Sequence, residues 1–281
     1  MLLTTKEMAN NIYADLTKRV EGYRGRNICP LIVTILIGND PASEYYVNAK
    51  ERIAKKIGVD FKLLHLEAEV KQSDLLEIIE QLNNDSSVHG IMLELPLPSH
   101  IELEAVANVI SPLKDIDGIT PENKMACMSG AEGLYPATPQ SCIRILKEYG
   151  YTIQGKRVVL IGRGETVGKP LINLLLRENA TLTICHSHTN NLAFYTQEAD
   201  IIIAAVGKPN LVMPEMVSSK NVIIDAGINE TTEGIVGDVT KEVREHVSAI
   251  SPVPGGVGTL TTAILFENLL AAIELQNKKR G

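Results

Sequence analysis

Short apolar runs recur along this chain, and most of them are followed by a segment with the periodicity of a helix. In the C-terminal half the runs lie at 158–161, 181–185, 200–207 and 221–227. In the N-terminal half they lie at 30–38, 59–67 and 89–98. Continuous apolar runs predict buried strands, and strands that alternate with helices predict a parallel sheet covered by helices. The pattern predicts an α/β fold: two α/β domains with a cleft between them, the second a Rossmann-like doubly wound parallel sheet.

The segment 157–170, RVVLIGRGETVGKP, predicts a strand, a glycine-rich turn and a helix. Gly162, Gly164 and Gly168 would let the backbone turn tightly, approach a ligand and pack the helix closely on the strand. The free N–H groups and the positive dipole end of that helix favour a phosphate group. Because glycines also serve ordinary turns, the motif alone leaves both a dinucleotide site and a plain turn open.

The ends of the strands add to this prediction, because ligands bind parallel sheets beyond the carboxyl ends of the strands. The residues at those ends are Gly162, Ser187, Gly207 and Gly227. An Asp or Glu at the end of the second strand usually meets a free ribose 2′-OH, but residues 185–189 read CHSHT. With Arg163 available, this end favours the 2′-phosphate of NADP over NAD. The alternative is that Arg163 is a solvated turn residue.

The N-terminal half lacks a glycine-rich phosphate turn, so it should be the substrate half. Ser43 is predicted to cap a helix from about 44 to 57, on which Tyr46 and Lys50 share a face. Glu94 stands in an apolar run, where a carboxylate lies at a solvated strand end or is paired. The segment 114–118, KDIDG, forms a turn with two carboxylates. The alternatives are a surface lysine beside a packed tyrosine, and an ordinary acidic loop.

Other helix starts are predicted from polar residues that precede apolar periodicity. Ser73 or Asp74 would cap one helix, and Thr138 would cap the helix that crosses into the second half. A loop rich in glycine and proline after Ser251 would lead into a terminal helix at 260–276.

Composition and charge exclude several classes of protein. The net charge is −7 and no dense basic run occurs, which argues against nucleic acid as a main partner. The four cysteines have no C-x-x-C spacing, and His186 and His188 lack a third ligand, so we expect no metal site and a reducing, cytoplasmic location. No apolar stretch is expected to reach membrane-spanning length, and the N-terminus reads as an amphipathic helix with acidic residues.

Nine motifs in order resemble the bifunctional methylenetetrahydrofolate dehydrogenase/cyclohydrolase family. They are GNDPASEYYVNAK (38–50), ELPLP (94–98), KDIDG (114–118), PATP (136–139), GRGETVGKP (162–170), CHSHT (185–189), DAGIN (225–229), GDV (237–239) and PVPGGVG (252–258). The resemblance implies oxidation of 5,10-methylenetetrahydrofolate to the methenyl form with NADP, then hydrolysis to 10-formyltetrahydrofolate. It also implies a homodimer through the dinucleotide domain.

The resemblance implies roles for individual residues. Lys50 would be the general acid/base, placed by Tyr46, which packs against the folate, and Asp117 would hydrogen-bond the pterin ring. The implied catalytic residues are Lys50, Tyr46, Asp117 and Glu94. The implied substrate-binding residues are Ser43, Tyr46, Asp117, Pro254, Gly255 and Gly256. The implied cofactor-binding residues are Gly162, Arg163, Gly164, Val167, Gly168, Ser187, Gly207 and Ile228.

Glu94 departs from the family pattern, which has Gln beside the catalytic lysine. A glutamine bonds a lysine without favouring its charged form, whereas an ionised glutamate would stabilise the ammonium and reduce access to the neutral amine. The resulting hypothesis is a dehydrogenase whose cyclohydrolase activity is weak or absent; if Glu94 is itself protonated or carries protons, the opposite holds. Smaller departures are Ala137 for Cys, Ser141 for Gly, Gly164 for Ser, and Thr259-Leu260 for Pro-Met.

Two domains are predicted: a folate-binding catalytic domain at 1–136 plus 259–281, and an NADP-binding Rossmann-like domain at 137–258. One competing interpretation keeps the fold but makes the protein a dehydrogenase only, or one that uses NAD. Another, of a different class, is a folate- or nucleotide-binding protein without catalysis. The presence of Tyr46, Lys50 and Asp117 together argues against the binding protein, which would not need the lysine.

Overall fold

A computed structural model describes residues 1–232 and 234–280. The chain divides into two compact units, which we name by their sheets. The three-stranded unit comprises Asn10–Ala137 and Thr262–Gly281, and the five-stranded unit comprises Met1–Ala9 and Thr138–Thr261.

The three-stranded unit is built from a parallel sheet and the helices that cover it. Its elements are α1 (Lys6–Arg24) from Asn10 onward, β1 (Leu31–Ile37), α2 (Pro41–Ile57), β2 (Asp60–Leu66), α3 (Gln72–Asn84), β3 (Gly90–Leu93), α4 (Leu103–Val109) and α5 (Pro121–Ser129). The strand order is β2-β1-β3, with β1 in the centre and parallel to both neighbours. The side chains of β1 and β3 form the core with α3 and α4, as their continuous apolar runs predict.

The five-stranded unit carries the second parallel sheet. Its elements are α6 (Ala137–Glu148), β4 (Arg157–Ile161), α7 (Gly168–Arg177), β5 (Thr181–Cys185), α8 (Leu192–Glu198), β6 (Ile201–Ala204), β7 (Val222–Asp225), the hairpin β8 (Asn229–Thr231) and β9 (Gly234–Val236), and β10 (Ala249–Ile250). The five strands lie in the order β10-β7-β6-β4-β5 and are all parallel. The chain adds β5 on one side of β4 and then crosses back to add β6 on the other side, so the strand order reverses between β4 and β6. The predicted α/β class, with a Rossmann-like second domain, is confirmed.

Several helices begin at other residues than the sequence predicts. The cap of α2 is Asp40 and not Ser43, because the Asp40 carboxylate accepts hydrogen bonds from the Ser43 backbone N–H (2.9 Å) and hydroxyl (2.7 Å). Pro41 then takes the first helical position, where its missing N–H costs nothing.

Two further predicted caps are also wrong. The residue before α3 is Lys71, whose side chain makes no capping bond, and Ser73 and Asp74 lie inside the helix. Thr138 likewise lies inside α6, which begins at Ala137. Polar residues occur in first turns as well as at caps, so sequence alone misplaces these starts by two to three residues.

The last helix, α9, covers Val257–Arg280 and is longer than the predicted 260–276. By length and composition its segment Val257–Lys279 is apolar enough to cross a membrane, so the expectation that no stretch reaches that length is wrong. However, 61% of this window is buried inside the protein, including Leu269, Leu270 and Ala272. The helix is therefore apolar because it fills a protein core.

The first nine residues pack with the five-stranded unit. Leu3 N–H donates to the Ile250 carbonyl (2.9 Å), and Thr5 N–H donates to the Gly255 carbonyl (3.1 Å). These bonds extend the sheet at its β10 edge, which is why this segment groups apart from the rest of the N-terminal half. The predicted domains, 1–136 plus 259–281 and 137–258, are defined by the ligand that each would bind. The compact units do not test ligand binding, so these domains stay a prediction.

Candidate active site

Helix α2 brings three predicted site residues onto one face. Ser43, Tyr46 and Lys50 lie at positions i, i+3 and i+7 of Pro41–Ile57, so they follow each other along one side of the helix. Ser43 is buried, while Tyr46 and Lys50 are partly buried. The predicted shared face of Tyr46 and Lys50 is thus present.

Glu94 lies directly after β3 and meets the lysine. The Lys50 ammonium donates to Glu94 Oε1 at 2.5 Å, and only 15% and 7% of these two side chains are exposed. The Glu94 backbone N–H donates to the Ile35 carbonyl of β1, and this bond fixes the position of Glu94 at the end of the sheet. An ion pair with little water around it is strengthened by the lower local dielectric, and breaking it leaves an uncompensated charge.

Asp117 is the third ionisable group of this cluster. Burial raises the pKa of Asp117 to about 7; the Lys50 charge opposes this, and the Glu94 charge adds to it. Its carboxyl accepts a hydrogen bond from the Leu93 backbone, one residue before Glu94. The end of β3 therefore holds Glu94 and Asp117 beside the same lysine.

The other charged residues of the KDIDG turn hold the loop in place. The Lys114 ammonium donates to the carbonyls of Leu82 (2.9 Å), Asn83 (2.8 Å) and Asp85 (2.7 Å), at the C-terminal end of α3. The buried Asp115 carboxylate accepts from the backbone N–H groups of Ile119 and Thr120 and from the Asn123 amide. Of the two carboxylates in the turn, only Asp117 faces the lysine site.

Sequence reasoning missed two residues that support this loop. The Asn268 amide on α9 donates to the carbonyls of Ile116 (2.8 Å) and Tyr135 (2.9 Å). Gly118 has φ +70°, and a Cβ there would lie 2.5 Å from the Pro136 nitrogen. An asparagine within the apolar stretch of α9 indicates a buried amide that needs hydrogen-bond partners, and this could have been noticed from the sequence.

In the five-stranded unit, the predicted strand, turn and helix are present as β4, residues 162–167 and α7. A Cβ on Gly162 would lie 2.1 Å from the Ala205 carbonyl oxygen, and one on Gly168 would lie 2.6 Å from Arg163 Cα. These two glycines are required by close backbone packing. A Cβ on Gly164 would meet nothing within 4 Å, so this glycine leaves open space at the turn.

The remaining predicted cofactor residues lie at or beyond the carboxyl edge of this sheet. Ile161 of β4 pairs with Cys185 of β5, so Arg163 and Ser187 each follow by two residues, and both are exposed. Val167 precedes α7, Gly207 follows β6 with φ +68°, and Ile228 follows β7. The strand register thus places a cation and a hydroxyl on neighbouring strand ends.

The predicted folate contacts Pro254, Gly255 and Gly256 belong to the five-stranded unit and not to the unit that carries Lys50. The Thr5 hydroxyl donates to the Gly256 carbonyl at 2.7 Å. A Cβ on Gly256 would lie 2.4 Å from the Pro252 carbonyl oxygen, so this turn admits only glycine there. Their role in binding substrate stays a prediction.

The described residues contain no group of three or more His, Cys, Asp or Glu that could hold a metal ion. His186 and His188 contact each other edge to face, with ring centroids 6.0 Å apart. The His188 backbone N–H donates to His186 Nδ1, so this ring nitrogen is already hydrogen-bonded within the loop.

Two family models match the chain. The catalytic domain of tetrahydrofolate dehydrogenase/cyclohydrolase matches residues 3–117, and the NAD(P)-binding domain of the same enzymes matches residues 136–277. The chain belongs to the tetrahydrofolate dehydrogenase/cyclohydrolase family. The resemblance inferred from the nine motifs is thereby confirmed.

Relatives and solved structures agree with this family over nearly the whole length. The chain is 48% identical to bifunctional protein FolD 2 of Desulfitobacterium hafniense, over 99% of this chain and 98% of that one. The bifunctional FolD methylenetetrahydrofolate dehydrogenase/cyclohydrolase of Campylobacter jejuni superposes with a TM-score of 0.94 at 38% identity, covering 98% and 99% of the two chains. The Trypanosoma brucei enzyme, solved with NADP and an inhibitor, gives 0.92 at 32%, covering 98% of each.

Proposed function

We propose that this protein oxidises 5,10-methylenetetrahydrofolate to the 5,10-methenyl form with NADP, and hydrolyses the product to 10-formyltetrahydrofolate. The observation that carries the proposal is the cluster of Lys50, Glu94 and Asp117 at the end of β3, in a chain that matches both domains of the family. In its two activities the protein would resemble the Campylobacter jejuni enzyme.

The residues of the five-stranded unit fit NADP. The turn after β4 leaves space beside Gly164 at the start of α7, where the positive end of the helix dipole suits a pyrophosphate. Arg163 and Ser187 are exposed on adjacent strand ends and would bind the 2′-phosphate. When bound, NADP supplies the acceptor for the hydride.

The residues of the three-stranded unit fit the folate chemistry. We assign Asp117 to hydrogen-bond the pterin ring, because a carboxyl whose pKa is raised to about 7 both donates and accepts near neutral pH. Tyr46 packs against the folate and Ser43 contributes to its binding. Lys50 moves the proton when water adds to the methenyl carbon.

The proposed binding domains are 1–136 plus 259–281 for folate and 137–258 for NADP, and Gly281 lies outside the described residues. Pro254, Gly255 and Gly256 are proposed to contribute to the folate site from the second of these segments. Their tightly packed backbone supports a fixed shape for such a contact.

Lys50→Met tests the assignment of the lysine. Hydride leaves a carbon already activated by neighbouring nitrogen, so the first step mainly needs orientation, whereas hydrolysis needs proton transfer. The variant should form NADPH but lose roughly a hundredfold or more in methenyl hydrolysis. Equal losses in both steps would contradict a proton-transfer role.

A second candidate function is a dehydrogenase with weak hydrolysis, and the Lys50–Glu94 ion pair favours it. A carboxylate at this distance holds the ammonium in an ion pair, which must be broken before the lysine moves a proton to or from the substrate. The two candidates differ only in how fast enzyme-bound methenyltetrahydrofolate is hydrolysed.

We also propose a homodimer formed through the five-stranded unit. Within the described residues, β5 is the edge strand of the sheet, and Ile184 of β5, Leu176 of α7 and Phe194 of α8 are exposed apolar side chains of this unit. Exposed edges and apolar patches are the surfaces through which subunits associate. Light scattering should give twice the chain mass of 30.6 kDa, and a monomer at micromolar concentration would contradict the proposal.

The proposed location is the cytoplasm. Cys29, Cys127, Cys142 and Cys185 are all free thiols, as a reducing compartment would leave them.

A further inference from the structure

A buried carboxylate lies under the loop that follows β6. Asp238 is 0% exposed, and it accepts hydrogen bonds from three consecutive backbone N–H groups: Val206 (2.6 Å), Gly207 (3.1 Å) and Lys208 (2.9 Å). The Asn229 amide donates a fourth bond at 2.9 Å. Successive N–H groups that converge in this way form an anion-binding concavity, and here the anion is the protein's own side chain.

A second carboxylate fixes the segment that carries Asp238. Asp225, at the end of β7, accepts from the backbone N–H groups of Gly227 (3.0 Å), Asp238 (3.0 Å) and Val239 (3.1 Å). We call Asp225 and Asp238 together the carboxylate frame. It links the ends of β6 and β7 to the segment after β9.

The backbone packs so closely against the carboxylate frame that no side chain fits at Gly227 or Gly237. A Cβ on Gly227 would lie 2.3 Å from the Asp238 carboxyl, and one on Gly237 would lie 1.8 Å from Asp225 Oδ2. Both glycines are needed because the carboxylates pack directly against the backbone. The DAGIN and GDV motifs, to which the proposed function assigns only Ile228, are thereby explained as one structural unit.

The frame determines which face the loop 205–208 presents. Its N–H groups point inward at Asp238 and are therefore not available to a phosphate. Outward it offers Val206, which is 42% exposed, and Gly207, where an added Cβ would meet nothing within 4 Å. Lys208, which is also exposed, adds a charge at the end of the loop, while Val206 and Gly207 offer an apolar, open surface that suits the face of a flat ring.

The topology places this surface beside the proposed phosphate site. The strand order reverses between β4 and β6, and ligands bind parallel sheets in the crevice at such a switch point. From β5 to β4 to β6, the strand ends offer in turn Ser187, the glycine turn with Arg163, and the loop 205–208. If the 2′-phosphate and the pyrophosphate of NADP bind at the first two of these sites, the nicotinamide half lies at the loop 205–208.

We propose that Asp238 is a positioning residue that holds the loop 205–208 so that it receives the nicotinamide half of the cofactor. The inference rests on the proposed function, because it takes NADP as the ligand. Asp238 acts through the backbone of the loop and does not touch the cofactor itself.

Asp238→Asn tests the proposal with two ligands, NADP⁺ and adenosine 2′,5′-bisphosphate, titrated by calorimetry. The amide has a single acceptor oxygen and turns N–H donors towards the N–H groups of the loop, so the loop should change shape. We expect the dissociation constant of NADP⁺ to rise at least about tenfold, and that of the bisphosphate, which lacks the nicotinamide half, to change less than about twofold.

Asn221→Ala is the matched control. Asn221 is equally buried, lies at the amino end of β7, and bonds Ser218 N–H and the carbonyls of Thr196 and Ala199. It should lower the melting temperature while both ligands bind the folded protein as in the wild type. A purely structural role for Asp238 would make its variant behave like this control, and that result would overturn the proposal.

If Asp238→Asn does not fold, Asn229→Ala decides, because it removes the fourth hydrogen bond to Asp238 together with a longer one to the Val236 carbonyl (3.4 Å). It should weaken NADP⁺ by about threefold and leave the bisphosphate unchanged. Equal effects on both ligands, or none on either, would overturn the proposal. Absence of NADP⁺ binding by the wild type would instead refute the proposed function, and the inference with it.

Discussion

At the scale of single residues, Glu94 is the feature with the largest chemical consequence. Its carboxylate lies 2.5 Å from the Lys50 ammonium, at a position where the resemblance to the family leads us to expect glutamine. Sequence reasoning singled out both residues, but only the resemblance placed them side by side. Forty-four positions separate them, and no periodicity relates the end of a strand to the face of a helix.

Glu94→Gln should accelerate hydrolysis of methenyltetrahydrofolate by roughly tenfold, the effect of about 1.4 kcal/mol. The neutral amide keeps a hydrogen bond to Lys50 but removes the ion pair that holds the lysine away from the substrate. The decay of the methenyl absorbance with enzyme, corrected for decay in buffer, measures the rate.

Glu77→Gln, an exposed position on α3, is the matched control and should leave the rate unchanged. An unchanged or slower rate in Glu94→Gln would mean that the glutamate assists the proton transfer.

Asp117→Asn should reveal this partly buried carboxyl through the pH dependence of stability. A carboxyl with a pKa of about 7 when folded and 3.8 when unfolded binds its proton more tightly in the native state. The wild type therefore loses stability as pH rises from about 4 to about 7, by up to about 4 kcal/mol, and the amide does not.

Urea unfolding at pH 5 and pH 8 measures this difference. The stability of the variant relative to the wild type should be greater at pH 8 than at pH 5, whereas Asp74→Asn, at an exposed site, should show no such trend. A constant difference between Asp117→Asn and the wild type would show that Asp117 titrates in the usual range.

At the scale of elements, the loop with Asp117 depends on the C-terminal end of α3. Lys114→Met removes a cation from three carbonyl groups there, leaving them without a charged donor. We expect a loss of about 2 kcal/mol in the free energy of unfolding, and weaker folate binding because the loop loses its anchor.

Lys71→Met is the control at the other end of the same helix, where the side chain makes no capping bond. It should change the free energy of unfolding by less than about 0.5 kcal/mol. Similar small effects of the two variants would show that the Lys114 bonds contribute little.

The strands were predictable from sequence, while the helix ends and the short helices were not. Continuous apolar runs located β1, β4, β6 and β7, because a strand buried on both faces has no polar positions. The cap of α2 depends on which of two neighbouring polar side chains reaches a free N–H, which is a question of geometry. The carboxylate frame escaped notice because its partners come from three separate segments.

At the scale of the whole molecule, cofactor choice depends on the adjacent ends of β4 and β5, which carry Arg163 and Ser187. Arg163→Ala should raise the Michaelis constant for NADP by about tenfold or more and change that for NAD little, since only NADP carries the 2′-phosphate. Initial rates with both nucleotides measure this.

Arg157→Ala is the control, because Arg157 lies at the amino end of the same strand, β4. It should leave both constants close to the wild-type values. Equal losses for NADP and NAD in Arg163→Ala would mean that Arg163 supports the turn and does not bind the 2′-phosphate.

The central claim is that one chain carries out both the oxidation and the hydrolysis, and one assay tests it most directly. Enzyme is mixed with 5,10-methylenetetrahydrofolate and NADP, and NADPH and the methenyl chromophore are followed separately in the same cuvette. We predict that NADPH forms and that methenyl decays faster than in buffer. Formation of NADPH with methenyl decay at the buffer rate would contradict the hydrolytic half and support a dehydrogenase limited by Glu94; no NADPH at all would contradict the whole account.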